Sequence, residues 1–469
     1  MSKKRNFSQD GGYKDWFESQ SFPLTESSLK RIETQIRQEV RLLKPLSVNQ
    51  RLLYLKREEV ATWIDDKVRN KTIGHMHFVK RMIWRPKGKS DFRRIEPQLI
   101  KVNNEFEVDS YNIWGESQKI RFPTTEPLDV HWDTLRTLVS SAPNDGTVGR
   151  RMSFLVIDRP TKQYLGVICI SSAMYRIPAI HEEIGWDKEK IKKQRGSKLN
   201  CLANGQTIVP TQPFGSAFLG GKLLSLLCLS KEVAEAWEAE HGDKLVGVHT
   251  TSLFGTETGT QYDNLNPYWK KLDKQTSTEG PIKLTKNTYD SMREWLRHRY
   301  PEKFYQFFVE KNPETGMLNT RESKTVTLKF CYQKLGLSAD EYNSFEPRGV
   351  YSSFLFKNST EYLRDEISVE DLVPAFDNSI EALTEFWRYG SMGDTTQPTD
   401  EMIKKEKKPE RIRKKIRMKG QTKGRIDSVT ASIPTEIDWY SNLPQMSWDE
   451  IQTKYPEKSV PSEIPSSVL

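Results

Sequence analysis

Between Gly205 and Leu229 the chain reads Gly205-Gln-Thr-Ile-Val-Pro-Thr-Gln-Pro-Phe-Gly-Ser-Ala-Phe-Leu-Gly-Gly221 and then Lys222-Leu-Leu-Ser-Leu-Leu-Cys-Leu229. The apolar pair Ile208-Val209 closes at Pro210, which has no N–H for a sheet ladder, and the glycines at 215, 220 and 221 permit backbone conformations that other residues resist. The order is strand, glycine-bearing turn, helix. Leu219, Leu223, Leu226, Leu227 and Cys228 recur at helical spacing, so one helix face lies against the strand just left. Amides at a helix N-terminus lack intrahelical acceptors and the dipole there favours negative charge, which makes such a turn an anion seat. Two roles stay open at this point: that seat, and a connection that needs glycine only to turn.

Working outward, Phe154-Leu-Val-Ile157, the turn Asp158 to Lys162 and Tyr164-Leu-Gly-Val-Ile-Cys-Ile170 form a hairpin. Both strands are apolar on both faces and so belong in the middle of a sheet. The mixed-charge run Asp187 to Lys198 reads as a solvated helix. Ser230 to His241 is a helix with Val233 and Trp237 on one side and Gly242 as terminator, Leu245 to Ser252 a strand, and Gly259 to Trp269 a polar, aromatic loop. This alternation predicts an α/β domain over 141–285.

Around it we expect a flexible arm at 1–24, a mainly helical region at 25–140, an accessory region at 286–390 and a basic, largely disordered tail at 391–469. Helices are predicted over 25–43 and 47–69, near 132–139 and near 289–300, and a strand-like piece at Val350 to Phe356. Residues 90–125 are polar with few apolar runs. A basic, aromatic stretch from Phe78 to Lys89 after two helices fits either a helical support or a small nucleic-acid module.

No apolar run is long enough to span a bilayer, and the basic start has no apolar stretch behind it, so we expect a cytoplasmic protein with no membrane partner. The cysteines at 169, 201, 228 and 331 show no paired spacing, and no metal site is expected; His75 and His77 alternate as on a strand, without a nearby carboxylate or thiol. The charge is localised. Residues 401–425 hold twelve Lys or Arg and three Glu, a balance of +9, which equals the balance of the whole chain, 72 minus 63. The remainder is neutral, and the cationic segment, with Arg411, Arg413, Lys414, Lys415, Arg417 and Lys419 at its centre, suits a phosphate backbone, DNA above all.

The order of the central pieces resembles the GNAT acyltransferase superfamily, with Leu219-Gly-Gly-Lys-Leu-Leu224 similar to the end of its pyrophosphate loop and the start of its leucine-bearing helix. More specifically, Tyr164-Leu-Gly166, Ile184-Gly-Trp186, Phe214-Gly215 with the leucine-rich helix, and Gly259-Thr-Gln-Tyr262 with Asn266 and Trp269 resemble the domain family that includes the A protein of the Druantia anti-phage system. That resemblance covers about residues 149–280. It implies a GNAT-like mixed sheet with helices on both faces, flanked by helical regions.

It also implies acetyl-CoA or another acyl donor held by Val209, Gly215, Ser216, Gly220, Gly221 and Lys222. Tyr262 and Tyr268 are then candidate acids, and Glu183 and Asp263, with His181 and Glu182 beside them, candidate bases. Arg150, Arg176 and Lys222 are candidate phosphate contacts, of cofactor or nucleic acid. The sequence departs from the superfamily pattern at Gly215, where Arg or Gln is usual, and at Phe218, where glycine is usual. Two expectations follow. One is a DNA base-modifying, acyltransferase-like enzyme of a phage or anti-phage system; the other is a non-catalytic component in which the fold binds DNA or a protein partner.

Overall fold

The computed structural model describes residues 11–389 apart from 71, 87–90, 103–106, 112–116, 122–127, 141, 144–148, 175–176, 187–197, 253–258 and 311–323. In chain order the longer elements are α1 (Gly11–Ser19), α2 (Glu26–Leu43), α3 (Val48–Arg69), α4 (Ile73–Arg81), β1 (Pro97–Lys101), β2 (Glu107–Tyr111), β3 (Ser117–Arg121), α5 (Leu128–Val139), β4 (Arg151–Asp158), β5 (Gln163–Ser172) and α6 (Pro178–Ile184). There follow β6 (Leu202–Pro210), α7 (Phe214–Ala217), α8 (Gly220–Leu227), α9 (Lys231–His241), β7 (Gly247–Ser252), β8 (Lys270–Lys271) and β9 (Thr276–Pro281). The remainder is α10 (Lys286–Arg299), α11 (Pro301–Phe308), α12 (Lys324–Lys334), α13 (Ala339–Tyr342), β10 (Asn343–Phe354), α14 (Ser359–Leu363) and α15 (Ile380–Tyr389).

The chain divides into two units, 1–62 with 277–346, and 63–276 with 347–469. The structure therefore partitions the chain differently from the consecutive regions expected from sequence. In the first unit, the apolar face of α2, Leu29, Ile32, Ile36 and Val40, packs with Met292, Trp295 and Leu296 of α10 and with Cys331 and Tyr332 of α12. Glu39, buried in this core, accepts from the Thr285 amide (2.6 Å) and hydroxyl (3.1 Å), which satisfies a carboxylate that burial would otherwise penalise. The expected arm at 1–24 is corrected for its described part: α1 is anchored by Trp16 stacked on Phe304 and Tyr13 edge-on to Tyr305.

In the second unit the sheet runs β3-β2-β1-β4-β5-β6-β7-β10-β8, and it is mixed: β6 and β7 are parallel, the other pairings along this order antiparallel. The parallel pair follows from the crossover through α8 and α9, because parallel neighbours need a connection longer than a hairpin. As expected, the 154–170 hairpin lies inside the sheet, with both faces of β5 covered. On one face Gly166 lets Leu224 of α8 approach, since a Cβ at 166 would overlap that side chain. On the other, α5 sends the Trp132 indole N–H to the Ile168 carbonyl (3.3 Å), and His131 Nδ1 meets the buried Tyr164 hydroxyl (2.7 Å).

Three local expectations are corrected. Residues 97–121 contain three strands that extend the sheet, the first carrying the buried Leu99 and Ile100 into register with β4. Val350 to Phe354 belongs to β10 and pairs with β7, so the sheet is not confined to 141–285. His75 and His77 lie on the helix α4, not on a strand. The tail from 390, and the expected helix over most of 187–198, lie outside the described residues. Among the described residues no helix is long and apolar enough to cross a membrane.

Candidate functional site

The glycine turn has the expected strand and helix on either side of it, but the amides of 215–218 and of Lys222 are occupied. Gly215 N–H donates to the Thr211 carbonyl (2.7 Å), Ser216 to Gln212 Oε1 (3.1 Å), Ala217 to Pro213 (2.9 Å), Phe218 to Phe214 (3.1 Å) and Lys222 to Leu219 (2.9 Å). The short helix α7 sits where an open loop was expected, and it consumes these donors. The glycines at 220 and 221 are there for close packing. A Cβ at Gly220 would overlap the buried ring of Phe214, and one at Gly221 would stand 2.6 Å from Gln261 Oε1. Phe218 is buried edge-on to Trp84, and the Trp387 indole N–H donates to the carbonyls of Phe218 and Leu219 (both 3.2 Å). The expectation of open main-chain donors is corrected at 215–218 and at Lys222, whose amides have protein acceptors, while at Gly220 and Gly221 side chains of the protein crowd the backbone.

The remaining cofactor candidates follow suit. Val209 is paired with Val167 in the ladder, and the Lys222 ammonium, almost wholly buried, donates to the Asp263 carbonyl. Beyond Asn204, where the register of β6 with β7 ends, Gln261 Nε2 donates to the Ile208 carbonyl and to the Tyr262 hydroxyl (3.0 Å each). The 259–269 loop thus reaches a β6 carbonyl that no β7 amide satisfies.

The four residues expected as acids and bases do not form one centre. Tyr262 packs against Trp269 and Tyr351, and the Tyr351 hydroxyl donates to Asp263 Oδ1 (2.9 Å). Burial raises the phenols of Tyr262 and Tyr351 above their ordinary range, the latter to about 12. Tyr268 is away in an aromatic cluster, edge-on to Phe376 (4.6 Å) and Phe386 (4.7 Å). Glu183 is on the opposite face of the sheet: it accepts from Ser352 Oγ (2.6 Å) and Lys270 Nζ (3.0 Å). Because Tyr351 and Ser352 alternate along β10, Asp263 and Glu183 are held apart by the sheet itself. Arg150 is paired with Asp243; Arg176 and the cationic cluster at 411–419 lie outside the described residues.

A constellation that the sequence did not reveal lies on the Glu183 face. Ser171 of β5, Asn204 of β6, His249 of β7 and Ser352 of β10 are consecutive cross-strand partners, and Lys270 of β8 continues the row. All but the lysine are buried. The Asn204 amide donates to Ser171 Oγ (3.4 Å), and His249 Nε2 accepts from the Met174 amide (3.3 Å). Burial first, then the nearby His181, pull the His249 pKa down to about 4, so the imidazole is neutral at ordinary pH. Each residue comes from a different strand, so no spacing along the chain marks the row.

Residues 129–365 match the family model described as Druantia protein DruA. A curated Druantia protein DruA of Escherichia coli (strain UMEA 4076-1) is 24% identical over 257 residues, 51% of this chain and 59% of that protein, so the chain spans less than two thirds of this relative's length. No solved structure matches. The sheet from β4 to β10, the glycine turn and the polar row all lie inside the matched residues, which make up just over half of the chain, and the chain belongs to the DruA family.

Proposed function

We propose that this chain is a non-catalytic, nucleic-acid-associated component of an anti-phage defence system, built on an acyltransferase-like core whose donor seat the chain has refilled with its own side chains. The filled glycine turn carries this reading: the amides of 215–218 and of Lys222 have protein acceptors, and Phe214 and Gln261 crowd its two closing glycines. An acyl donor with a pyrophosphate needs those amides free. The likeness to acyltransferases is supported by the antiparallel β4-β5-β6 run and the crossover to a parallel strand that pairs over three residues only. Association with DNA is supported by the location of the whole net charge of +9 in 401–425.

The test is the salt dependence of duplex DNA binding by the full chain and by a deletion of 401–425. With about six phosphates engaged, affinity falls roughly 10³-fold between 50 and 200 mM salt. The deletion flattens that dependence; an unchanged slope, or no binding by the full chain, defeats the DNA reading. The base-modifying transferase is the second reading, kept because Tyr262 and Asp263 both contact Tyr351 and Lys222 donates to the Asp263 carbonyl. Calorimetry with acetyl-CoA separates the two. We expect no heat, and binding that Gly220→Trp abolishes would favour the enzyme.

A further inference from the structure

The polar row is incomplete at two adjoining positions. His249 Nε2 accepts from a backbone amide, which can only donate, so the neutral ring carries its proton on Nδ1. That Nδ1–H is buried, on a residue 2% exposed, and has no hydrogen-bond partner among the described residues. An unpaired buried donor forfeits its hydration without return, and native proteins rarely leave one. Its cross-strand partner Asn204 uses the amide nitrogen on Ser171, while its carbonyl oxygen accepts no hydrogen bond among the described residues. An open donor and an open acceptor therefore lie side by side on β7 and β6, at the point where these strands part. The row meets the surface beside them: Thr251, on the same face as His249, is partly exposed and Met174 is exposed.

We propose that His249 and Asn204 form a seat for the hydrogen-bonding edge of an unpaired nucleobase, the base supplying an acceptor to Nδ1–H and an adjacent donor to the Asn204 carbonyl. This rests on the nucleic-acid reading above and names the chemical group recognised. An edge with neighbouring donor and acceptor is what every base offers once unpaired. The groups that complete the row on either side, Ser171 and the Ser352–Glu183 pair, already have partners, and neither open group carries a charge that would select a phosphate. A peptide bond offers a similar pair of groups and is the competitor to exclude.

The experiment is ligand-observed NMR of the full chain with the four 2′-deoxynucleosides, N3-methylthymidine, 1-methyldeoxyguanosine and N-acetylglycine methylamide. At least one deoxynucleoside binds, its edge-methylated counterpart does not where it is thymidine or deoxyguanosine, and His249→Phe and Asn204→Leu each weaken binding at least tenfold. Should a variant fail to fold, the imidazole ¹⁵N signal of His249 in the wild-type protein decides, because it shifts on adding the nucleoside. Binding of no nucleoside, binding indifferent to both substitutions, an unmoved imidazole signal, or equal binding of the peptide analogue overturns the seat. The first of these is what a trapped water at Nδ1 alone would give. Free nucleosides do not engage a cationic segment as a polymer does. Salt-dependent DNA binding without nucleoside binding therefore defeats the seat and leaves the proposed function standing.

Discussion

Tyr351 and Ser352 are neighbours on β10 that face opposite sides of one sheet, and the two sides are finished in different ways. On the Tyr351 side, α7, α8, α15 and the 259–269 loop close over the strands: Phe214 fills the space left by Gly220, Gln261 that left by Gly221, and Asp263 ties Lys222 to Tyr351. On the Ser352 side the row is hydrogen-bonded at both ends and open in the middle, at His249 and Asn204. Gly220 and Gly221 mark the side that is closed by packing, whereas no glycine-rich turn points to the open polar groups. A glycine-rich turn is evidence that something comes close to the backbone, and here much of what comes close is the chain itself.

The closed side is broken most severely at Phe214, which is fully buried and packs edge-on to Trp84 and Trp387. Phe214→Ala should cost about 3–5 kcal/mol in denaturant unfolding, the range for emptying an aromatic site in a core. Gly220→Ala should cost about 1–3 kcal/mol by overpacking, since the ring it meets is enclosed and cannot swing away. Combining it with Phe214→Leu should recover part of that loss, because the two residues share one space. If Gly220→Ala is neutral alone, the turn is not filled by packing and the contrast between the faces collapses.

Titration sharpens the contrast, with opposite signs on the two sides. Glu232 of α9 is buried with Oε2 unpartnered among the described residues, and desolvation pushes its pKa from 4.5 up to about 7. The folded state binds this proton more tightly, so the stability it contributes is full below pH 4.5 and is lost as pH rises through 7. His249 on the open side moves from 6.5 down to about 4, so its contribution is full above pH 6.5 and is lost as pH falls through 4. Each amounts to about 3 kcal/mol at its limit. Glu232→Gln should therefore gain up to that much at pH 8 and nothing below pH 4.5, measured as unfolding free energy against pH. A gain that does not depend on pH would mean that the carboxylate is not desolvated.

A smaller effect is expected at the hydrogen-bonded end of the row. Ser352→Ala removes one partner of Glu183 and leaves Lys270 in place, so we expect a loss of about 1 kcal/mol. A much larger loss would mean that the row is rigid along its whole length, with little room for a ligand at its centre.

Much of the sheet was legible in the chain because its central strands are apolar runs with clear stops: the 154–170 hairpin, the strand before Pro210 and the helix from Ser230 to Gly242 are where the patterns place them. The helix is held by Ser230 accepting from the Val233 amide and by Gly242 in the left-handed region, which are local signals. What was not legible is what depends on distant partners. β1 is short and owes its place to β4; β10 joins the sheet from beyond a separate unit. The site was less legible still. Tyr262 and Asp263 are neighbours in sequence and share a network, but Glu183 and Tyr268 part from them because strand alternation and a remote helix, α15, decide their surroundings. His249 sits in the strand Leu245 to Ser252 as an unremarkable polar residue, and only the register of β6, β7 and β10 gives it Asn204 and Ser352 as neighbours.

The smallest expected effect tests how firmly the closed side is closed. At Gly221 the nearest atom that an added Cβ would meet is the far end of Gln261, which can rotate away, while the Gln261 Cβ at 3.2 Å must give by a few tenths of an ångström, so Gly221→Ala should cost about 1 kcal/mol. The rotation gives up the bonds from Gln261 Nε2 to the Ile208 carbonyl and the Tyr262 hydroxyl, and Gln261→Ala gives up the same two. The two substitutions together should therefore cost little more than either alone, which a double-mutant cycle measures. Additive losses would show that Gln261 stays in place and something else yields. If the cycle shows the expected coupling, the Ile208 carbonyl in the Gly221→Ala protein has lost its donor, and acetyl-CoA offered to that variant asks whether the seat was refilled or never there: binding gained by the variant and absent from the wild type would mean that Gln261 stands where a donor's own amide once did.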